Sequence, residues 1–453
     1  MVRFPVDRVA DLHLREMMSA RDNFAAAIDW MSSEIPSRAA DIFMSDRIQT
    51  SNNNRHQIAL LRRNNGDAHR SFKFDHERCI FDWRPAMQFT CTRRNALAIL
   101  AGAGAASHGK IVFAAAPQSL SAIAAENGYV FGSAGGKEIF KDVAYSELYP
   151  AQTKIITTDT ALKMGAIAPA PGPKRYESAD QLLRFCTRNK IQMRGHCLIW
   201  NEWVPAWIKS MGVSDRRKFF DAYIEEVVSR YVGKLQSWDV VNEPFWPGHK
   251  APGGYRVGPW YDAFGGPGYI RHAFERAATV DKKTKFVLNE AQTERDDEVG
   301  HAVRSGLLRL VDELKHAGVP LRAVGLQGHL QPRYPHDPNR FIDFVHALGE
   351  RGVDIYVTEF DVRDDTFPDD IAARDAKIAS TAEKFLTSIL RVPQVKMVIT
   401  WELSDQYSFY TDAARKKNPL ATRLPRPLPY DDQMKKKPLW FAMARAFQNA
   451  KRT

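Results

Sequence analysis

Trp238-Asp239-Val240-Val241-Asn242-Glu243-Pro244 reads as a β-strand that stops abruptly. Apolar residues run up to Asn242, and Pro244, which has no N–H to give to a ladder, ends the pairing so that Glu243 projects from the strand end. Ile355-Tyr356-Val357-Thr358-Glu359-Phe360-Asp361 has the same form and presents Glu359. Between and around these two stretches, short β-rich runs alternate with helical patterns at intervals of roughly 35 to 45 residues, the rhythm of repeated βα units on a parallel sheet. The spacing predicts strands at 129–132, 154–158, 192–199, 236–242, 285–289, 323–327, 354–359 and 396–401. Eight such strands predict a (β/α)8 barrel, α/β in class, with Glu243 and Glu359 on strands four and seven, across the mouth from each other.

Helical stripes support this reading. Phe219, Phe220, Tyr223, Val227 and Tyr231 recur at helical spacing within 215–231, and 303–317 and 376–390 behave alike. Two long connections, 243–269 and 407–438, are expected as loops at the barrel rim. The first is dense in Gly, Pro, Trp and Tyr, a composition suited to binding substrate at the C-terminal strand ends.

The chain has 453 residues, 44% hydrophobic and 26% charged, which excludes collagen-like, acidic-disordered and disulfide-scaffold classes. Its net charge of +11 is spread along the chain, and the clusters Arg415-Lys416-Lys417 and Lys435-Lys436-Lys437 lack interleaved aromatics. Nucleic acid is therefore not expected as a partner. Cys79, Cys91, Cys186 and Cys197 show neither a disulfide framework nor zinc spacing, and each reads as a buried free thiol. No metal motif of the H-E-x-x-H kind occurs, and neither a metal nor an organic cofactor is expected.

The first 116 residues read differently. Arg93-Arg94 precedes an uncharged apolar run, 96–106, too short to span a bilayer, and Ala114-Ala115-Ala116 supplies a candidate cleavage site, with Ala103-Gly104-Ala105 as the alternative. This is the layout of a twin-arginine export signal. Met87 lies just ahead of it. The expected organisation is an extension at 1–86, dispensable or upstream of the biological start, a signal peptide at 87–116 and a catalytic domain at 117–453. A small cytoplasmic domain followed by a buried helical hairpin is the rival. Export implies a secreted or periplasmic protein with no other membrane attachment.

Two facing carboxylates are what glycosidic cleavage needs, one protonated to give a proton to the leaving oxygen and the other ionised to attack or stabilise the sugar cation. Arg194-Gly195-His196-Cys197-Leu198-Ile199-Trp200-Asn201, Asn242-Glu243-Pro244, Gly325-Leu326-Gln327-Gly328-His329-Leu330, Thr358-Glu359-Phe360-Asp361 and Thr400-Trp401 with Asp405-Gln406-Tyr407-Ser408 stand in the order and spacing of family 10 glycoside hydrolases. The chain resembles that family of retaining endo-β-1,4-xylanases over about residues 119–449.

The resemblance implies that Glu243 is the acid/base and Glu359 the nucleophile. It further implies that Asn242 binds the sugar 2-hydroxyl and that His329 bonds the nucleophile. His196, Trp200, Gln327 and Trp401 would line the sugar site on the non-reducing side of the cut, and Lys163 would contact sugar. Xylan or xylo-oligosaccharides are the expected partners of a monomeric enzyme.

Asp159-Thr160-Ala161-Leu162-Lys163-Met164 departs from the family's Glu-Asn-Glu-Met-Lys-Trp; Asn201 and Trp203 replace a histidine and a glutamine, and Phe409 a tryptophan. Asn289-Glu290-Ala291-Gln292 stands for Asn-Asp-Tyr-Asn. These changes are expected to alter the grip on flanking sugars, with Trp203 as a stacking surface, and to leave the catalytic pair untouched. Competing readings are a carboxylate-pair barrel acting on β-glucan or aryl-glycosides, and a non-catalytic sugar-binding barrel.

Overall fold

The computed structural model describes residues 118–450, together with the backbone of two short strands, Cys79–Asp82 and Gln88–Cys91. Those two strands pair antiparallel on either side of Met87, within a unit of the chain that spans Met1–Ile111. The expected extension and export signal otherwise lie outside the described residues.

The second unit is a closed parallel barrel. Its strands are β1 Val130–Gly135, β2 Ile155–Thr158, β3 Gln192–Gly195, β4 Ser237–Asn242, β5 Lys285–Glu290, β6 Leu321–Leu326, β7 Asp354–Val362 and β8 Val395–Thr400. Each pairs with its sequence neighbours, and β8 closes the ring on β1, with Met397 opposite Val130 and Thr400 opposite Ser133. Strands in such a barrel are covered on both faces, which is why they read as near-continuous apolar runs. All six residues of β4 are buried.

Ile155, Val287, Ala323, Tyr356, Met397 and Ile399, from five strands, pack together as the apolar filling of the barrel interior. Arg194 is fully buried beside them. Its guanidinium is satisfied by Asp239, Ser237 and Thr157 and lies 6.0 Å from the Tyr356 ring centre, as a buried cation requires. The larger core joins the outer strand faces to the surrounding helices.

The helices Val213–Tyr231, Glu298–His316 and Ile371–Ile389 fall where the apolar stripes place them. Asp297 and Asp370 cap the last two by accepting hydrogen bonds from the backbone N–H groups of Gly300 and Ala373. The terminal helix Pro438–Asn449 packs on Ile371–Ile389 and on Leu120–Glu126. Tyr129 fastens this seam, its hydroxyl lying 2.6 Å from the Leu390 carbonyl and 2.7 Å from that of Ala450.

Three departures from the sequence reading have physical causes. β1 runs on to Gly135 through small residues; at Gly132 a Cβ would meet Ile155 at 2.3 Å, so only glycine fits between β1 and β2. β3 ends at Gly195, and only Ile199–Trp200 resume pairing, against Val241 and Asn242. The 407–438 connection contains a helix, Phe409–Lys417, capped by Ser408, and the 243–269 rim contains another, Pro259–Phe264.

Candidate active site

β4 carries one extra residue before the carboxylate it delivers, and β7 carries one in the stretch that holds its own. Asp239 and Val241 of β4 lie opposite the consecutive residues Val287 and Leu288, and Val357 and Phe360 of β7 lie opposite Val398 and Thr400. Such bulges break the alternation of side chains and re-aim the residues beyond them. Past the first bulge, Glu243 adopts a left-handed backbone, φ 49°, uncommon for a non-glycine residue. Glu359 sits at the second and is buried.

Gln327, directly after β6, links the two glutamates. Its side-chain amide donates to Glu243 Oε1 at 2.9 Å, and its backbone carbonyl accepts the Glu359 N–H at 2.8 Å. Asn289, in β5, donates from Nδ2 to Glu359 Oε1 at 2.7 Å and to Asn242 Oδ1 at 2.8 Å, and its own Oδ1 accepts from Thr358 at 2.7 Å. With Oδ1 of Asn242 taken, Asn242 keeps its Nδ2 donors for something else.

His329 Nε2 lies 3.3 Å from Glu359 Oε2, and its Nδ1 lies 2.7 Å from Asp361 Oδ2. Burial opposes a charge on this imidazole, but Asp361 and Glu359 on its two sides hold its proton far above the ordinary histidine range. Burial also pushes Asp361 upward. The proton of the pair rests on the imidazole, because only there does it face a second carboxylate. Glu359 benefits: burial would raise it, yet the hydrogen bond from His329 and the charges of His196, His329 and Lys163 bring it down to about 2. One carboxylate of the site is thus held ionised.

His196 Nδ1 lies 2.8 Å from Asp239 Oδ2, and its ring meets the Trp401 ring edge-on at 5.3 Å. Lys163 Nζ sits among three indoles, 5.4 Å from Trp200, 5.1 Å from Trp203 and 5.4 Å from Trp401. Trp203 remains 45% exposed there, a free aromatic face beside a buried cation. Phe409 is similarly exposed, 6.0 Å from His329.

The structure therefore brings Lys163, His196, Trp200, Asn242, Glu243, Gln327, His329, Glu359 and Trp401 to one end of the barrel. Residues not singled out from sequence join them. Asn289 ends an apolar strand just as Asn242 does, a signal the same logic could have found. Arg256, deep in the Gly/Pro-rich rim, carries no such signal. It donates to Glu243 Oε2 at 2.8 Å and to the Glu243 carbonyl at 2.8 Å.

Glu290, at one of the departures from the family pattern, is a buried carboxyl at the end of β5. Burial first and the charge of Glu243 second hold its carboxyl well above the usual carboxylate range. Its oxygens accept from the N–H groups of Ala291 and Phe245.

A closed parallel barrel whose strand ends converge two glutamates among histidines, amides and indoles has the makeup of a barrel glycosidase. The chain belongs to glycosyl hydrolase family 10, whose sequence model matches residues 119–446. It is 30% identical over 272 residues to endo-1,4-beta-xylanase A of Caldicellulosiruptor sp. (strain Rt8B.4), covering 56% of this chain and 38% of that relative. It is 29% identical over 297 residues to a beta-1,4-xylanase of Dictyoglomus thermophilum, covering 60% of this chain and 81% of the relative. The crystal structure of xylanase 10B from Thermotoga petrophila RKU-1 in complex with xylobiose superposes with a TM-score of 0.65 at 25% identity, over 74% of this chain and 98% of that one.

Proposed function

We propose that this protein is an endo-β-1,4-xylanase that cleaves xylan with retention, using Glu243 as acid/base and Glu359 as nucleophile. The observation that carries the assignment is the asymmetry of the two carboxyls. Glu359 is buried, held ionised at about 2 and oriented by Asn289 and His329, whereas Glu243 stands at the rim on a left-handed turn. In the first step Glu243 gives its proton to the glycosidic oxygen, the sugar–oxygen bond breaks, and a Glu359 oxygen bonds to the anomeric carbon. In the second, water attacks that carbon, its proton passes to Glu243, and Glu359 leaves with the bonding pair. Asn242 donates to the sugar 2-hydroxyl through the Nδ2 that Asn289 leaves free, and Trp200, Trp203 and Trp401 offer faces on which sugar rings stack.

The flanking subsites fit altered sugar recognition, with decorated xylan or short oligosaccharides favoured over plain polymer. In the cell, the 87–116 segment would direct export through the twin-arginine route; N-terminal sequencing of the exported protein tests this, and a mature chain that kept residues 1–86 would sink it.

The central test is reducing-sugar release from xylan and from β-glucan by wild type, Glu243→Ala and Glu359→Ala, with NMR of the first-formed anomer. Xylan cleavage with retained configuration, lost in both variants, is expected. Azide with an activated aryl xylobioside should partly restore turnover to Glu243→Ala, with the azide product keeping the substrate's configuration. Full activity in either variant, or an inverted first product, would overturn the assignment.

A further inference from the structure

Arg256 holds the side chain and the backbone of one residue at once. It is 3% exposed, and its Nη2 and Nε reach Glu243 Oε2 and the Glu243 carbonyl, each at 2.8 Å. Its Nη1 is taken by the carboxylate of Glu202, whose side chain is half exposed at the site's edge, and its guanidinium lies 4.7 Å from the Trp246 ring centre. Glu202 comes just after Trp200 and Asn201 in the segment beyond β3, so this segment and the connection after β4 meet on this one cation.

We propose that Arg256 is a positioning residue that stabilises the carboxylate formed on Glu243 as its proton passes to the leaving oxygen, and that Glu202 tempers this by sharing the cation. The inference rests on Glu243 being the acid/base. An ion pair waiting at the place where negative charge develops assists proton donation, and a water-poor, preorganised setting makes it effective. A second carboxylate on the same guanidinium dilutes its charge at Glu243. The other groups facing this pair are the buried Glu290 carboxyl at the end of β5, the buried Cys197 thiol, and the Tyr269 hydroxyl, which accepts a hydrogen bond from Asn201; Glu359 lies across the mouth. None of these bonds directly to Arg256 or to the Glu243 carboxylate.

Acid assistance matters for a poor leaving group and little for a good one, so leaving-group dependence separates this role from simple support of the site. The experiment compares xylotetraose with 2,4-dinitrophenyl xylobioside across pH for wild type, Arg256→Met, Glu202→Gln and Glu243→Ala. Arg256→Met should lose about tenfold or more in kcat/KM on xylotetraose and stay within about threefold on the dinitrophenyl substrate. With the cation gone, Glu243 keeps its proton to higher pH, so the alkaline limb of the xylotetraose profile moves up. With Glu202 neutral, Arg256 presses harder on Glu243 and the limb moves down.

Equal losses of Arg256→Met on both substrates would overturn the proposal, as would an alkaline limb in Glu202→Gln that stays put or moves up. Should Arg256→Met not fold, the exposed Glu202→Gln decides alone. Full cleavage of xylotetraose by Glu243→Ala would instead refute the acid/base assignment beneath it.

Discussion

Gly325 in β6 makes the precision of the site measurable without touching a group that meets the sugar. A Cβ at this position would lie 2.2 Å from Asn289 Oδ1, 2.9 Å from Thr358 Cγ2 and 3.1 Å from Asn289 Cγ. Ordinary contact begins near 3.4 Å, so in Gly325→Ala the Asn289 amide has to retreat by about 1.2 Å. That amide holds Glu359 Oε1, Asn242 Oδ1 and the Thr358 hydroxyl, all within 2.8 Å, and cannot keep all three after such a shift. A displacement of about 1 Å in a catalytic group costs on the order of 10²-fold in rate, or about 2.7 kcal/mol of transition-state stabilisation. Overpacking should also take about 1 to 3 kcal/mol from folding stability.

The assay is kcat/KM on xylotetraose per active site, with sites counted by a fluorosugar that traps the nucleophile and folding monitored by thermal melting. Gly212→Ala is the control, because its φ of −58° suits any residue and a Cβ there meets nothing within 4 Å. A folded Gly325→Ala enzyme with kcat/KM within twofold of wild type would show that the Asn289 bridge does not position the pair, and the link from its geometry to the chemistry would fall with it.

Asp361→Asn should lower kcat about 10- to 100-fold in steady-state kinetics, since without this partner His329 no longer carries its proton against Glu359. Trp203→Ala should raise KM for xylo-oligosaccharides about tenfold and change kcat less, the mark of lost stacking rather than lost chemistry. Because Glu359 is depressed to about 2 in the folded protein, it contributes stability above its ordinary value of 4.5 that disappears as pH falls towards 2. Denaturant unfolding of wild type and Glu359→Gln should therefore give a stability difference that shrinks in favour of the variant across that window; a constant difference would contradict the shift.

The barrel is legible in the sequence because strands buried on both faces cannot hide their apolar runs. Most of the strands show in this way, although β3 is Gln192-Met193-Arg194-Gly195 with a buried arginine, and the two glutamates stand out through the residues ending their strands. The features that stay hidden depend on contacts between distant segments. The bulges before Glu243 and at Glu359 arise from pairing with β5 and β8, which no run of residues announces. The tail of β1 is Ser133-Ala134-Gly135, and at Gly135 a Cβ would meet Ile139 at 2.6 Å and Tyr149 at 3.0 Å, so small residues and not bulky apolar ones stand there. Helix Phe409–Lys417 ends in Arg415-Lys416-Lys417 and has only Thr411 buried, so no stripe marks it. Arg256 reaches Glu243 from within a stretch whose glycines and prolines suggest only a loop. Asn289, which ends a strand as Asn242 does, could have been read from sequence; Arg256, which reaches in from the rim, could not.

The joint between β1 and β8 sets the order in which the molecule can be completed during synthesis. The Ser133 hydroxyl bonds to the Thr400 carbonyl across 267 residues, and Tyr129 waits for the carbonyl of Ala450. Until the ribosome has delivered those residues, β1 and the growing sheet each present an unpaired edge, open to pairing with a neighbouring chain. A chain stopped before Val395 would carry both carboxylates yet leave the ring open, and aggregation would remove it before its chemistry could be assayed.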